Sequence, residues 1–359
     1  MGSPTSPWDG SGGPPSPPVR GGLGGGAEAG AVLVTGGAGY IGSHAAKALT
    51  AAGRRVVIYD NLSDGHRRAT RGADLVIGDT REVDRLRTVM ADRGVTAVMH
   101  FAAWASVGES VRDPAAYYRN NVEGSLSVLE AMARVGVTRF IFSSTAAVFG
   151  EPEEVPITES HPTRPINPYG ETKLAVERAL PHFERAHGIH SVCLRYFNAA
   201  GADPEGELGE DHRPERHLIP LALDAAAGGA PLQVFGGDYP TPDGTCLRDY
   251  IHVSDLADAH LRALDALERA PRTTVYNLGN GRPYSVAEVV AAAERVTGRR
   301  VPRIMGPRRP GDPAVLYASS ARIRAELGWT PAFEALETIM ETAWKWRHLH
   351  PRGYRGATA

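Results

Sequence analysis

The sequence predicts an α/β fold in which a doubly wound parallel sheet is followed by a smaller C-terminal α/β lobe. From residue 31 onward, short runs rich in β-branched residues alternate with helical segments, the order that a parallel sheet with crossover helices requires. A glycine-rich turn joins the first of these runs to the first helix. After Tyr196 the alternation gives way to a loop-rich section up to Arg248 and then resumes with shorter elements, which indicates a second, smaller lobe.

The predicted elements follow the hydrophobic pattern along the chain. Strands are predicted at 31–35, 55–60, 75–77, 97–101, 139–143 and 190–196, and later at 274–278 and 301–305. Helices are predicted at 40–52, 82–92, 114–135 and 168–187, and later at 255–267 and 286–296. Pro114, Pro168 and Pro220 stand where helices begin, since the fixed φ of proline suits the first helical turn. We therefore expect a main sheet of about six strands or more.

Composition excludes several classes of protein. The 359 residues include 39 Lys plus Arg and 41 Asp plus Glu, which gives a formal net charge of −2. This balance excludes a strongly basic nucleic-acid binder, and no apolar run reaches the length of about 18 residues that a membrane span needs. Cys193 and Cys246 lie far apart, outside any Cys/His cluster. We therefore expect no disulfide, no metal site and a cytoplasmic location.

Residues 1–30 form a separate region by composition, because they hold ten Gly and six Pro and few apolar side chains. Such a segment cannot offset the entropy lost on ordering. It also lacks the basic start and the apolar run of a signal peptide. We expect a disordered extension.

The first predicted strand is followed by Gly36-Gly37-Ala38-Gly39-Tyr40-Ile41-Gly42, which opens a helix. Glycines in this setting permit a tight turn and a close approach of the backbone to a pyrophosphate, although a plain structural turn is the alternative. The second strand ends at Asp60, 21 residues after Gly39. A carboxylate there accepts hydrogen bonds from ribose hydroxyls and repels a 2′-phosphate. The combination predicts a Rossmann-type domain that binds NAD rather than NADP.

Asp79 follows the third predicted strand, and two interpretations stay open for it. It either contacts the adenine amino group or caps the N-terminus of the next helix. We assign residues 31–197 to the NAD-binding domain. Residues 198–359 are assigned mainly to a substrate-binding lobe, with some return of the chain into the large domain.

Tyr169 and Lys173 stand four residues apart at the start of one predicted helix, so their side chains project from one face. The charge of Lys173 is expected to lower the pKa of Tyr169 toward neutrality, which makes the phenolate a usable base. Thr145, after the fifth strand, can hydrogen-bond a reacting hydroxyl. The alternatives are an ordinary exposed pair for Tyr169 and Lys173, and helix capping for Ser143 and Ser144. Together the three groups predict an alcohol-oxidising site.

Several further segments accompany these motifs: Gly36 to His44, Val107 to Ser110, Tyr117 to Val122, Tyr169-x-x-x-Lys173, Leu194 to Asn198, Arg248 to Val253, Tyr276 to Gly279 and Arg308 to Asp312. With them, the chain from about Ala31 to Gly353 resembles the extended short-chain dehydrogenase/reductase superfamily and, within it, the UDP-glucose (UDP-galactose) 4-epimerases. The resemblance implies interconversion of UDP-galactose and UDP-glucose. The sugar is oxidised at C4 to a 4-ketose with tightly bound NAD and is reduced again on its opposite face. It also implies a homodimer through the helices 114–135 and 168–187.

The resemblance implies a role for each matching residue. Tyr169 acts as the base, assisted by Lys173 and Thr145. The implied NAD contacts are Gly36, Gly39, Tyr40, Ile41, Gly42, Asp60, Asn61, Asp79, Thr80, Phe101, Ala102, Ala103, Asn121, Ser143, Tyr169, Lys173 and Tyr196. The implied UDP-sugar contacts are Thr145, Tyr169, Asn198, His217, Leu218, Phe235, Arg248, Arg309 and Asp312.

Some positions depart from the family pattern and leave alternatives open. Thr145 replaces a common serine, and Leu316 occupies a position that in relatives helps to decide whether N-acetylated sugars fit. UDP-GlcNAc and UDP-uronate 4-epimerases therefore stay as alternatives. A dehydratase typically has an Asp-Glu pair where Ala146 and Ala147 stand here. A non-enzymatic NAD-sensing protein is the remote alternative.

Overall fold

The structure is a computed structural model that describes residues 30–309 and 312–355. The expected extension over residues 1–30 lies outside the described residues, apart from Gly30. The strands are β1 Ala31–Thr35, β2 Val56–Asp60, β3 Asp74–Ile77, β4 Val95–His100, β5 Arg139–Ser143, β6 His190–Tyr196, β7 Asn198–Ala200, β8 Leu232–Phe235, β9 Leu247–Arg248, β10 Tyr250–His252, β11 Thr274–Leu278, β12 Tyr284–Ser285, β13 Arg303–Gly306 and β14 Val315–Leu316.

The helices lie between these strands and after them. They are α1 Tyr40–Ala51, α2 Val83–Asp92, α3 Val107–Arg112, α4 Pro114–Tyr117, α5 Gly124–Val135, α6 Pro168–His187, α7 Leu218–Ala226, α8 Val253–Arg269, α9 Val286–Thr297, α10 Ala321–Leu327 and α11 Leu336–Leu349. A π-helical turn covers Tyr118–Glu123, and short 3-10 turns cover Arg67–Thr70, Ala146–Val148 and Gly353–Arg355.

Seven parallel strands form the main sheet, in the order β11-β6-β5-β4-β1-β2-β3. The alternation of strands and helices places crossover helices on both faces of such a sheet. The predicted α/β fold with a doubly wound parallel sheet is confirmed. β11 comes from the C-terminal part of the chain and pairs with β6 at the sheet edge. The domain division at residues 197 and 198 stays a prediction.

Residues along β1 show why both faces of the sheet are covered. Leu33 packs into an apolar cluster with side chains of α2 and α5. Val32 and Val34 pack into a second cluster, together with side chains of α1 and α8. Since successive side chains of a strand point to opposite faces, a strand buried on both sides needs the unbroken apolar run seen here. A third cluster joins α7, α9 and α11 to β8.

Three small sheets position the C-terminal loops. β7 pairs with β10, β8 pairs with β13, and β9 lies between β12 and β14. Through these pairings, Phe235 lies opposite Gly306, and Leu316 lies opposite Arg248. Residues far apart in sequence are thereby brought beside the main sheet, where they surround the candidate site.

The predicted helix 114–135 is helical throughout, with the wider π-helical turn Tyr118–Glu123 between α4 and α5. The buried Asn121 lies within that turn, and its side-chain contacts, described below, account for the local irregularity. The helices α3, α10 and α11 were not predicted. No helix in the described ranges is long and apolar enough to cross a membrane.

Candidate active site

The candidate site begins where the loops after β1 and β4 meet. The backbone N–H groups of Phe101 and Ala102 both donate to the carbonyl oxygen of Thr35, at 2.9 and 3.1 Å. Gly36 has φ +71°, and a Cβ atom there would lie 2.5 Å from the Ala102 nitrogen. Only glycine fits this left-handed turn at so close an approach. The two loops diverge from this point at the carboxyl edge of the sheet, where open α/β folds bind ligands.

The N-terminus of α1 presents free donors to this edge. Its N-cap residue is Gly39, which supplies no side-chain acceptor, and its first turn holds no acidic residue. A Cβ atom at Gly42 would lie 2.2 Å from the Gly36 carbonyl oxygen, so the helix packs directly on the loop. The first N–H groups of α1, at Tyr40 and Ile41, are therefore available to an anion. The loop fits a dinucleotide pyrophosphate.

Asp60 is bound to the same loop. One carboxylate oxygen accepts from the Ala38 N–H at 2.9 Å, and the other accepts from the Leu62 N–H at 2.8 Å. Burial raises the pKa of Asp60, while these two hydrogen bonds oppose the rise. Each oxygen keeps a lone pair for a further donor. The side chain of the adjacent Asn61 accepts from the Ser63 N–H at 3.0 Å. The contacts of Asp60 and Asn61 with a ribose stay predictions.

Asp79 does not cap α2, so that alternative is wrong. The N-cap residue of α2 is Glu82, whereas the Asp79 carboxylate accepts from Arg81 Nε and Nη2 at 2.8 and 2.7 Å. These bonds lower the pKa of Asp79 to about 2. Thr80 lies against the start of α5, where a Cβ atom on Gly124 would be 2.6 Å from its hydroxyl oxygen. The adenine contacts of Asp79 and Thr80 stay predictions.

Asn121 holds the loop after β4 against α6. Its amide group donates to the Trp104 carbonyl at 3.0 Å and to the Thr172 hydroxyl at 3.1 Å. Its side-chain oxygen accepts from the Trp104 N–H at 2.9 Å and from Asn120 at 3.0 Å. All the donors and acceptors of this side chain are engaged. Asn121 therefore positions residues 101–104, including Ala103, and its own contact with the cofactor stays a prediction.

Thr145, Tyr169 and Lys173 meet beyond β5. The Thr145 hydroxyl accepts from the Ala147 N–H at 3.1 Å and caps the turn Ala146–Val148. The Tyr169 hydroxyl lies close enough for Thr145 to lower its pKa. The capping role considered for Ser143 and Ser144 is wrong, since the cap is Thr145. The structure brings these three side chains together, and their catalytic roles stay predictions.

Burial sets the protonation of the tyrosine and the lysine. Lys173 is 4% exposed, its Nζ donates to the Ser143 carbonyl at 2.8 Å, and burial lowers its pKa to about 7. Burial raises the pKa of Tyr169 to about 12, against the opposing hydrogen bond from Thr145. The expected lowering of the Tyr169 pKa by Lys173 is wrong for the protein by itself. Loss of hydration around a phenolate outweighs it.

The residues predicted to hold the UDP-sugar lie on the short C-terminal strands and loops. The Arg309 guanidinium lies 3.9 Å from the centre of the Phe235 ring. Arg248 forms a close ion pair with Asp312 and also donates to the Leu247 carbonyl at 2.8 Å. These side chains offer one cation stacked on an aromatic ring and a second cation held in an ion pair.

A small cavity lies between β7 and the start of α7. Asn198, His217 and Leu218 line it together with Tyr250, and the side-chain amide of Asn198 donates to the Asp249 carbonyl at 2.9 Å. Its volume of about 30 Å³ is close to that of one water molecule, so by itself it does not hold a nucleotide. The substrate contacts assigned to these residues stay predictions.

Comparison with known proteins decides the family. Residues 32–279 match the model of the NAD dependent epimerase/dehydratase family. The chain belongs to this family.

Individual relatives narrow the assignment within this family. The chain is 50% identical over 325 residues to a UDP-glucose 4-epimerase of Halalkalibacterium halodurans, covering 90% of this chain and 97% of that protein. It is 51% identical over 330 residues to a UDP-glucose 4-epimerase of Streptomyces lividans, covering 90% and 98%. The resemblance to the UDP-glucose 4-epimerases is confirmed.

Solved structures of the epimerase family agree. A UDP-glucose 4-epimerase from Brucella ovis in complex with NAD is 52% identical, with a TM-score of 0.86 over 88% of this chain and 98% of that one. A UDP-glucose 4-epimerase from Bifidobacterium longum in complex with NAD+ and UDP is 39% identical, with a TM-score of 0.85 over 90% and 99%.

A buried ion pair between α6 and β6, close to Lys173, was not predicted from the sequence. Glu177 and Arg195 are joined by three hydrogen bonds of 2.5 to 3.2 Å, with side chains 5% and 7% exposed. Glu177 also accepts from the Ser144 hydroxyl at 2.5 Å and raises the pKa of Lys173. Its position four residues after Lys173 on α6 was a usable signal. Beside this pair, the Ser143 hydroxyl lies 2.5 Å from the hydroxyl of Tyr196.

A second missed group lies before α7. Glu210, His212, Glu215 and His217 place one ligand atom each within 4.8 Å of one another. From the sequence, His217 was predicted only as a substrate contact and no metal site was expected, because the chain has no cysteine-based metal motif. Two histidines and two glutamates within eight residues were the available signal.

Glu177→Gln is expected to lower the free energy of unfolding by about 3–5 kcal/mol, because it leaves the buried Arg195 without a charged partner. Glu130→Gln is the matched control, since Glu130 pairs with Arg134 on the surface of α5 and such a pair contributes about 0.5 kcal/mol. Urea denaturation measures both changes. Equal losses in the two variants would contradict the importance of the buried pair.

Proposed function

We propose that the protein interconverts UDP-galactose and UDP-glucose, as a UDP-glucose 4-epimerase that uses NAD. The observation that carries the proposal is the meeting of Thr145, Tyr169 and Lys173 at the sheet edge that also holds the glycine-rich loop. The names of the relatives at about 50% identity support the same activity. The alternative reactions considered from the sequence have no comparable support.

Tyr169 exchanges the proton of the sugar 4-hydroxyl. It accepts this proton as hydride leaves C4, and it returns the proton when hydride comes back to the opposite face of the 4-ketose. Thr145, which lies beside the Tyr169 hydroxyl, orients the reacting oxygen and stabilises charge on it. Bound NAD supplies the hydride acceptor and, in its oxidised form, a positive charge that opposes the effect of burial on the Tyr169 pKa.

The charge of Lys173 influences how readily Tyr169 exchanges this proton. Its ammonium group is anchored by the Ser143 carbonyl and is supported by the Glu177 carboxylate. Because its pKa is about 7, its charged fraction falls as the pH rises through neutrality. Its positive charge therefore assists Tyr169 most fully on the acidic side of that value.

The UDP group binds along the C-terminal side of the cleft in this proposal. Arg309, stacked on Phe235, and Arg248, beside Asp312, face the diphosphate. Guanidinium groups suit this task because their planar donors match phosphate oxygens. Leu218 and Phe235 provide apolar contact for the uracil ring.

Purified protein that carries NAD is expected to convert UDP-galactose to UDP-glucose without added cofactor, because the reaction has no net redox change. Tyr169→Phe removes the proton-exchanging oxygen and keeps the ring, so it is expected to retain NAD and to lower kcat by about 10²- to 10⁴-fold. Product formation is measured by chromatography of the nucleotide sugars, and bound NAD is measured in the extract of the denatured protein.

This experiment separates the reaction from the role of the residue. No conversion by a wild-type sample with NAD bound contradicts the proposed function. Near-normal turnover in Tyr169→Phe contradicts only the assignment of Tyr169 as the base.

Arg309→Ala is expected to weaken UDP binding by about 10- to 100-fold, because one charged contact with the diphosphate is lost. Arg308→Ala is the matched control. Arg308 pairs with the exposed Asp238 at 2.8 Å and lies over the Tyr239 ring, so its loss is expected to change the UDP affinity by about twofold or less. Isothermal titration of UDP measures both, and equal effects would count against the contact of Arg309.

A homodimer is part of the proposal. Exposed apolar side chains support it, since Tyr118 and Leu126 are 44% and 36% exposed on the segment from α4 to α5. Burial of such side chains favours association. Light scattering of the purified protein is expected to give twice the mass of one chain, and the mass of a single chain would exclude the dimer.

We also propose that the protein acts in the cytoplasm. Both cysteines are free and buried, which suits a reducing compartment. Cell fractionation tests this location, and recovery of the protein outside the cytoplasmic fraction would contradict it.

A further inference from the structure

Four side chains converge on one point in the segment before α7. The Nδ1 atom of His212 lies 3.1 Å from Glu210 Oε1 and 3.9 Å from Glu215 Oε2. The Nδ1 atom of His217 lies against the same Glu210 oxygen and 3.5 Å from Glu215 Oε1. The Glu210 side chain is buried, Glu215 is partly buried, and the His217 ring is 51% exposed. Two imidazole nitrogens and two carboxylate oxygens thus face one another at short range.

We propose that Glu210, His212, Glu215 and His217 bind one divalent transition-metal ion of the zinc type. Zinc takes four nitrogen, oxygen or sulfur ligands in a tetrahedron. With bonds of about 2.0 Å, the ligand atoms of such a tetrahedron lie about 3.3 Å apart. The separations of 3.1, 3.5 and 3.9 Å lie around that value, the last two being measured to different oxygens of Glu215. The contact between His217 and Glu210 is shorter, so an ion would move these two side chains apart. Mixed imidazole and carboxylate ligands favour zinc over calcium or magnesium.

The charges of the group favour a bound cation. Among the described residues, Glu210 and Glu215 form ion pairs with these two histidines and with no lysine or arginine. Without a metal ion, the two imidazoles balance the carboxylate charges only as imidazolium cations, which repel each other at a centroid distance of 5.4 Å. Glu215 also accepts hydrogen bonds from the backbone N–H groups of Arg216 and His217. A divalent ion balances both carboxylates while both imidazoles stay neutral. The mutual repulsion is thereby removed.

A nearby carboxylate cluster differs from the group at 210–217 because a lysine occupies its centre. Asp203, Glu205 and Glu207 also place their oxygen atoms close together. They surround the ammonium group of Lys47, at 2.7, 2.5 and 2.8 Å. That cluster already contains its cation. The group at 210–217 contains no such side chain, and its two histidines are ligands of the kind that a transition metal requires.

The position of the site indicates what the ion does. His217 is the N-cap residue of α7 and precedes Leu218 at the small cavity. At the other end of the segment, the ring of His212 meets the ring of Tyr40 edge-on at the start of α1. An ion bound by all four residues would hold the two ends of the segment 210–217 together, next to α1 and at the start of α7. It is a structural ion in this proposal, and it does not depend on the proposed epimerase activity.

The test uses the full-length chain without an affinity tag, treated with a chelator and then titrated with Zn²⁺ alone. We expect one Zn²⁺ per chain to remain after desalting, by elemental analysis. We also expect Zn²⁺ at 100 times its Kd to raise Tm by about 5 °C. Co²⁺ in its place is expected to give the intense visible absorption of a tetrahedral site. Less than half an equivalent of retained Zn²⁺, or an octahedral Co²⁺ spectrum, would overturn the proposal.

Matched variants locate the ion. His212→Gln combined with Glu215→Gln removes two ligands, and it is expected to weaken Zn²⁺ binding at least about 100-fold. Glu205→Gln removes a carboxylate from the lysine-filled cluster and is expected to leave Zn²⁺ binding unchanged. Undiminished binding by the double variant would overturn the assignment. Should that variant fail to fold, the Co²⁺ spectrum of the wild-type chain still decides the matter.

Discussion

Lys173 carries its ammonium group beneath the surface, 2.8 Å from the Ser143 carbonyl oxygen and 4.9 Å from the centre of the Phe142 ring. A buried charge is tolerated only with partners nearby. The Glu177 carboxylate supports it from the next turn of α6, and Arg195 of β6 holds that carboxylate in turn. The charged groups therefore connect β5, α6 and β6, and none of these elements can shift without exposing an unpaired charge.

The reactive hydroxyl groups take their positions from the same three elements. Tyr169 lies one helical turn before Lys173, and Thr145 lies two residues after Ser143. Both hydroxyls are therefore placed by the backbone that anchors the lysine. On the other side of the sheet edge, the glycine-rich loop is held by Asp60 and by the loop after β4. The glycine-rich loop thus meets Thr145 and Tyr169 at one edge of the sheet, and hydrogen bonds hold the backbone on both sides of this edge.

The sequence correctly predicted those strands and helices whose ends are determined by neighbouring residues. β1, β5, β6, β11 and α6 begin and end at the predicted residues, because apolar runs, proline and capping residues are visible in the sequence. The π-helical turn at residues 118–123 was not predictable, since it depends on hydrogen bonds between Asn121 and residues distant in the chain.

In the candidate site, too, features that depend on neighbouring residues were predicted, and features that depend on the complete fold were not. The four-residue spacing of Tyr169 and Lys173 predicted that they share a face. The direction of the Tyr169 pKa did not follow from it, because burial depends on the complete fold. The glutamate and histidine group at 210–217 was not predicted, since its spacing is unusual and it contains no cysteine. The roles of Arg248 and Arg309 stay predictions, and the pairing of Arg248 with Asp312 was not predictable because it depends on a fold that brings β9 to a distant loop.

That pairing affects how tightly a diphosphate can be held. Arg248 already has an anion beside it, so in the proposed UDP complex an incoming phosphate would compete with Asp312 instead of meeting a bare charge. The net gain in binding free energy would be the difference between two similar attractions, which would moderate the affinity. On release of the ligand, Asp312 would again neutralise the guanidinium. In that complex the carboxylate would act as a built-in competitor that favours rapid exchange of substrate and product.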